Sequence, residues 1–406
     1  MKLAMWKRNL ILLWFSQLIV MSGFSAMIPF IPLFIKNKYG ITSDGEIAFY
    51  VAFFNFLGTL AYAVFCPIWG VLADRFGVKP MLLRGTFATG WMFPVMAYVP
   101  TPGWLLLLRF FSAACAGTTA ASQVMIARNT PDDKQGFALG VLTTAIWGGA
   151  MLGNVIGGLL IHYFNYTTAF WVCGILYMVS GISVLFTREE AVSVQMKNKL
   201  HSVHVKSPVP FIPVFTRAVW IMLLLFLLMG IIRNFESPYV ALKIEEIAGA
   251  GTAAYWTGIV SAVACVGAIL SGVVNGYLSD RLPPLKQLLP LLILSATALV
   301  LQGCSGNLWL FTLSRTLLFI SAGALPTILQ KQLSAVTPKR KRGSVFGFSS
   351  AALYAGGMIA SLAGGWSMSL FQCSGVFYTA AVLFTVSIFF FSKGLKAVLA
   401  MPRHHQ

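Results

Sequence analysis

Long apolar stretches alternate with short polar connections along almost the whole chain. The apolar runs fall at about 9–35, 47–72, 81–99, 103–127, 136–161 and 168–186, then at about 218–242, 255–278, 286–302, 308–330, 344–370 and 375–392. A helix needs on the order of 20 such residues to cross a bilayer's hydrocarbon core. The pattern therefore predicts an all-α integral membrane protein with twelve transmembrane helices. One connection is long and polar: residues 188–217 hold Arg188, Lys197, Lys199, Lys206 and Arg217 with Pro208, Pro210 and Pro213. It reads as a linker between a first six-helix bundle, 1–187, and a second, 218–406.

The two sets of six repeat each other. Gly70-Val-Leu-Ala-Asp74-Arg75 recurs 206 residues later as Gly276-Tyr-Leu-Ser-Asp280-Arg281, and Arg109 recurs at the same offset as Arg315. Gly157-Gly158 recurs as Gly364-Gly365 at an offset of 207, and Pro29 matches Pro238 at 209. A near-constant offset through such landmarks means a parallel duplication, giving two pseudo-symmetric bundles with a substrate path between them near the bilayer midplane.

Composition agrees with this class. Of 406 residues, 58% are apolar and 10% charged, with mean hydropathy +0.80, against roughly a quarter charged in soluble domains. The net charge of +18 belongs to the loops and calls for no nucleic acid partner. With the N-terminus inside, 23 basic residues fall on the cytoplasmic side and three, Lys36, Lys38 and Lys243, outside. That bias orients both termini to the cytoplasm and points to the inner (cytoplasmic) membrane. The six cysteines stand singly in apolar surroundings, where they read as small packing residues.

Gly70-x-Leu72-Ala73-Asp74-Arg75-Phe76-Gly77-Val78-Lys79-Pro80 lies between the second and third spans. Here the chain resembles the major facilitator superfamily, and the resemblance extends over essentially all of it. In that family the loop acts as a conformational latch, which implies this role for Gly70, Asp74, Arg75, Gly77 and Lys79, and for Asp280 and Arg281 in the second copy. Val78 stands where the family usually has a basic residue. Gly149-x-x-x-Gly153-Asn154-x-x-Gly157-Gly158 in the fifth span resembles the family's antiporter pattern, with Asn154 replacing the usual proline. The overall resemblance is greatest to the twelve-span drug–proton antiporter branch, the multidrug efflux carriers. Glycines four apart also let helices pack closely whatever the direction of transport.

Charges within spans are costly and mark function. There are four: Arg109, Arg233, Glu236 and Arg315. Proton coupling needs a group that changes charge inside the membrane, and the other ten acids lie in loops, so Glu236 is the candidate carrier. Arg233, three residues before it, lies on the same helix face and is the expected partner in proton coupling. Arg109, Gln123, Asn234 and Arg315 are the candidate substrate-cavity residues, with Asn55, Trp147 and Tyr354 as further polar or aromatic positions.

The chain carries no Gly-x-x-x-x-Gly-Lys phosphate loop and no His-Glu-x-x-His, and no cofactor or metal is expected. It is read as a transporter, not an enzyme. The leading function is export of small, largely apolar compounds by proton antiport, from a monomer in the lipid bilayer. The alternative is an organic-anion or sugar-phosphate carrier, since three in-span arginines face one glutamate. The topology predicts that cysteines introduced at Ser193 or Lys339, in a cysteine-free background, are shielded from impermeant thiol reagents applied outside, while one at Thr42 reacts. The reverse labelling would overturn it.

Overall fold

The computed structural model describes residues 5–131, 135–188, 216–337 and 342–400; most of the 188–217 linker lies outside the described residues. The described chain is helical throughout. The first half contains α1 (Met5–Met27), α2 (Ile31–Tyr39), α3 (Asp44–Phe76), α4 (Val78–Met96), α5 (Pro102–Cys115), α6 (Thr118–Asn129), α7 (Gln135–Tyr163) and α8 (Tyr166–Leu185). The second contains α9 (Arg217–Asn234), α10 (Val240–Ala248), α11 (Ala253–Arg281), α12 (Pro284–Cys304), α13 (Leu308–Ala322), α14 (Leu325–Val336) and α15 (Arg342–Ala400).

Nine segments among the described residues are long and apolar enough to cross a membrane, with α1–α2, α5–α6 and α9–α10 each forming one. The 59 residues of α15 would extend about 88 Å as one helix, far beyond a single crossing. The helix bends at Gln372, whose φ of 59° and ψ of −172° are not helical. Adding α4, the α13–α14 pair and the second arm of α15 gives twelve passes, the count predicted by the apolar pattern. Large apolar side chains cover the outside: Trp91, Leu224, Val382 and Trp309 are exposed, Trp309 by 87%. Such a surface suits lipid, not water.

Four of the passes are interrupted, at matching places in the two halves. The first pass breaks at Ile28–Phe30 and the seventh at Ser237–Tyr239, 209 residues apart. Pro29 and Pro238 lack the N–H that would continue the ladder there. The fourth pass breaks at Ala116–Gly117 and the tenth at Gly323–Ala324, with Gly117 and Gly323 separated by 206. Gly117 has φ +113°, a backbone conformation open to glycine at little cost.

Side chains satisfy the backbone where the fourth pass breaks. Trp69 Nε1 donates to the Ala114 carbonyl at 2.6 Å and Arg84 Nη2 to that of Ala116 at 3.2 Å. The Arg84 guanidinium stacks 3.3 Å from the Trp69 ring centroid. Arg84, which the charge pattern assigns to an inner loop, thus lies inside α4 and caps a broken helix; 22 inner basic residues remain, and the bias stands.

The glycine contacts repeat the same symmetry. Gly149, Gly153 and Gly157 lie directly against the carbonyl oxygens of Leu18, Ser22 and Ala26, so α7 packs on α1 backbone to backbone. In the second half Gly356 meets Leu227 and Gly364 meets Phe235, the positions 209 beyond Leu18 and Ala26. Contacts between halves match too. A Cβ on Gly158 would lie 2.8 Å from the Ala254 carbonyl oxygen, and one on Gly365 3.2 Å from that of Ala48. Ala48 and Ala254 are 206 apart. The fifth-span motif is therefore a packing stripe. Its Asn154 reaches across to the other half, donating from Nδ2 to Cys265 Sγ at 3.8 Å.

The halves also meet at the end bearing residues 36–45 and 243–252. Lys36 Nζ pairs with Glu245 Oε2 at 2.9 Å, and His162 Nδ1 lies 3.2 Å from the Gly251 carbonyl oxygen. At the opposite end Gly77, with φ +96°, joins α3 to α4, and Lys79 Nζ donates to the carbonyls of Leu185 and Thr187 at 2.7 and 2.9 Å. Lys79 thereby ties the predicted latch loop to the end of α8. The side chains of Gly70, Asp74, Arg75, Asp280 and Arg281 lie outside the described residues. Among the cysteines, Cys173, Cys265 and Cys373 are buried as read, while Cys304 is exposed and accepts from Tyr378 Oη at 3.3 Å.

Because a Cβ at position 157 would run into the Ala26 carbonyl, Gly157→Val should destabilise the protein by about 1–3 kcal/mol or prevent its folding. Gly148→Ala, whose Cβ would meet only Leu18 Cδ1 at 4.0 Å, should melt like the wild type. Thermal unfolding in detergent compares the two.

Candidate functional site

Among the described residues three cavities lie along the interior, and the breaks at 28–30, 116–117, 237–239 and 323–324 each border one of them. In the first half a cavity of about 360 Å³ is bounded by Arg109, Ala116, Gly117, Thr89, Tyr177 and others. A central one of about 480 Å³ takes Ile28, Pro29 and Asn55 from the first half and Arg233, Asn234 and Ser237 from the second. A third, about 60 Å³, is bounded by Arg233, Glu236, Arg315, Ala322 and Gly323. They adjoin. Thr59 and Tyr354 line both the first and central cavities, and Trp147, Arg233, Ser237 and Phe319 both the central and small ones. The Tyr62 and Tyr354 rings meet with centroids 5.2 Å apart, one tyrosine from each half.

Glu236 is buried, and its partner is not the one its sequence neighbours indicate. Arg315 Nη1 donates to Glu236 Oε2 at 2.6 Å, with both side chains about 95% out of solvent. Gln302 Oε1 accepts from the same nitrogen at 3.4 Å, and the guanidinium lies 5.1 Å from the Phe319 ring centroid. Arg233 lines the same small cavity but makes no ion pair or hydrogen bond to any described residue. The backbone stays right-handed through Phe235 and Glu236. Arg233 and Glu236 border one cavity as their spacing predicts, but the carboxylate is taken by Arg315 from another pass.

Arg109 holds the place in the first half that Arg315 holds in the second, 206 residues on. It has no acid. Its guanidinium makes no ion pair or hydrogen bond to a described residue, and Nε is buried without a partner. Phe24 and Phe54 lie with ring centroids 5.7 and 5.1 Å from it. Gly58 makes room, since a Cβ there would come within 2.5–2.8 Å of the guanidinium. Cation–π contacts of this kind contribute about 2 kcal/mol when desolvated, less than the several kcal/mol lost on burying an ion. The residue that would supply the missing carboxylate, 209 before Glu236, is Met27, fully buried.

Of the other predicted cavity residues, Asn234 lines the central cavity with its Nδ2 donating to the Gly230 carbonyl at 2.9 Å, and Asn55, Trp147 and Tyr354 line it too. Gln123 does not join them: it is exposed on α6 and borders none of these three cavities. The break at Ala116–Gly117 resets the helical phase between Arg109 and Gln123. Sequence reasoning missed Thr89, 3% exposed, whose Oγ1 is buried without a partner on the wall of the Arg109 cavity.

If the Glu236–Arg315 pair is a unit, breaking one side is worse than removing both. Arg315→Gln strands a buried carboxylate, which typically costs about 3–5 kcal/mol. Glu236→Gln with Arg315→Gln should recover most of that loss, as read by thermal unfolding of the three variants.

Comparisons with known proteins cover nearly the whole chain. A family model described as Major Facilitator Superfamily matches residues 13–301 and 248–399. The multi-drug resistance efflux pump PmrA of Streptococcus pneumoniae is 28% identical over 391 residues, 95% of each chain. The multidrug resistance protein MdtG of Proteus mirabilis is 28% identical over 383 residues, 93% of this chain and 94% of that one. Among solved structures, a bacterial homologue of the human lysosomal transporter Spinster, in an inward-facing and occupied conformation, superposes with TM-score 0.73 at 14% identity, covering 95% and 96%. A D-xylose–proton symporter does so at 0.75 and 13%, covering 94% and 96%.

Proposed function

Since the chain belongs to the Major Facilitator Superfamily, whose members are transporters and not enzymes, we propose that it exports small, largely apolar compounds by proton antiport. Bundles 1–187 and 218–406 would alternate access to the central cavities, hinged through the 188–217 linker. The observation that carries the reading is the Glu236–Arg315 pair: a carboxylate inside the membrane, bordering a small cavity that adjoins the central one. Protonating Glu236 neutralises the carboxylate that holds Arg315, so the pair passes from net neutral to net positive and the electrostatics of the cavity wall change with the proton. The efflux direction draws on the names of PmrA and MdtG.

The closed end formed by Lys36, Glu245, His162 and Gly251 suits a state facing the opposite side. With the basic bias, that side is the cytoplasm, where an exporter loads. A monomer in the inner membrane, both termini cytoplasmic, completes the reading. The latch loop would hold the opposing state, with Lys79 fixing the loop to the end of α8 within the first bundle.

An organic-anion or sugar-phosphate carrier is the second reading, favoured by the unpaired Arg109 and Arg233. A phosphate ester carries up to about two negative charges. The Arg109 cavity offers one positive charge, its other donors being neutral hydroxyls such as Thr59, Ser112 and Thr118, which argues against the sugar phosphate.

Proton coupling is tested in proteoliposomes with an imposed pH gradient and a labelled neutral, cationic and carboxylate-bearing compound. Glu236→Gln should abolish gradient-driven accumulation while leaving downhill exchange, because glutamine keeps the volume but cannot carry the proton. Full gradient-driven activity in that variant would remove Glu236 from the carrier role.

A further inference from the structure

We propose that the Arg109 cavity is a carboxylate-recognition subsite, so that compounds handled through the first half are amphiphilic monoanions: an apolar or aromatic body bearing one carboxylate. This rests on the transporter reading above and names the substrate chemistry of one of its cavities.

Two unpartnered polar atoms line the cavity, Arg109 Nε and Thr89 Oγ1, both buried. On one cavity they offer a charged guanidinium and a hydroxyl, donors of the kind a carboxylate accepts from. The remaining wall suits the rest of such a ligand, with Phe24, Phe93, Tyr62 and Tyr177 around a volume of about 360 Å³, within the range of small-molecule sites.

The duplication supplies a second line of argument. Where the second half places Arg315 in the same position, Glu236 is its counter-ion at 2.6 Å. The first half keeps the arginine and replaces the carboxylate position by Met27. One half carries its carboxylate within the chain, and the other leaves the guanidinium to a carboxylate that arrives with the ligand. A cationic drug would meet an uncompensated like charge here. A neutral one could at most offer these donors an uncharged acceptor, without the charge-assisted contact.

Binding is measured on the full-length protein in lipid nanodiscs at neutral pH with no gradient, by titration calorimetry. The probes share one ring system: naphthoate, naphthamide and naphthylmethylammonium. Naphthoate should bind at least about tenfold more tightly than naphthamide, as expected for a charge-assisted contact, and the ammonium most weakly. Arg109→Gln should erase the difference while naphthamide binding stays at its wild-type value, and Arg233→Gln should preserve it. Should Arg109→Gln not fold, Gly58→Ala displaces the guanidinium by its Cβ and should erase the difference in its place. Naphthoate binding no tighter than naphthamide overturns the proposal, as does a preference that survives Arg109→Gln or disappears with Arg233→Gln. Glu236→Gln should retain the carboxylate preference, so failure of proton coupling and failure of this subsite are read separately.

Discussion

Inside hydrocarbon no water pairs with backbone N–H and C=O groups, so a spanning helix can be interrupted only where protein or an internal cavity takes over. The four interruptions of passes among the described residues obey that constraint. Ile28 and Pro29 border the central cavity, Ala116 and Gly117 the Arg109 cavity, and Glu236, Ser237 and Gly323 the small one. Prolines at 29, 238 and 326 reduce the number of donors to be satisfied, and Trp69 and Arg84 take up the carbonyls of Ala114 and Ala116. The cavities and the breaks are thus one feature.

The two halves share several contacts of backbone on backbone and diverge at some of the positions near the cavities. Gly149 against Leu18 and Gly356 against Leu227, or Gly157 against Ala26 and Gly364 against Phe235, are the same contacts. A side chain at any of them would collide with a carbonyl, so the duplicated scaffold tolerates little change there. Positions facing a cavity carry no such restriction. Glu236 answers to Met27 and Arg233 to Phe24, while Arg109 and Arg315 remain alike. The result is a symmetric frame holding one arginine with its acid and one without.

Much of the frame was legible in the sequence because hydrophobic run length and repeat offset are both one-dimensional signals. The charges inside the spans were legible for the same reason, and elimination left Glu236 as the sole acid among them. Its partner was not legible. Arg315 is 79 residues away, and the nearer Arg233, although it borders the same cavity, leaves the carboxylate to it. Gln123 went astray through the break at Ala116–Gly117, though Gly117 and Gly323 lie at the repeat offset and Pro29 and Pro238 flag the other pair of breaks. Arg84 looked like an ordinary inner-loop charge because helix ends are poorly marked by composition. Its cap of Ala116 depends on a contact between passes that no spacing encodes.

For a proton and a substrate to be coupled, both must bias the same two-state element. On the proposed reading that element is the seam between the halves. Glu236 and Arg315 belong to the second half, yet Trp147 of the first half lines their cavity. Tyr354 of the second half lines the cavity of Arg109, and its ring meets Tyr62 across the seam. Each charged site therefore has a wall supplied by the other bundle. Rocking one bundle against the other must reshape both cavities at once, and neutralising the carboxylate or filling the Arg109 cavity changes the free energy of that same motion. A single ion pair can then influence a site in the opposite half with no direct contact between them.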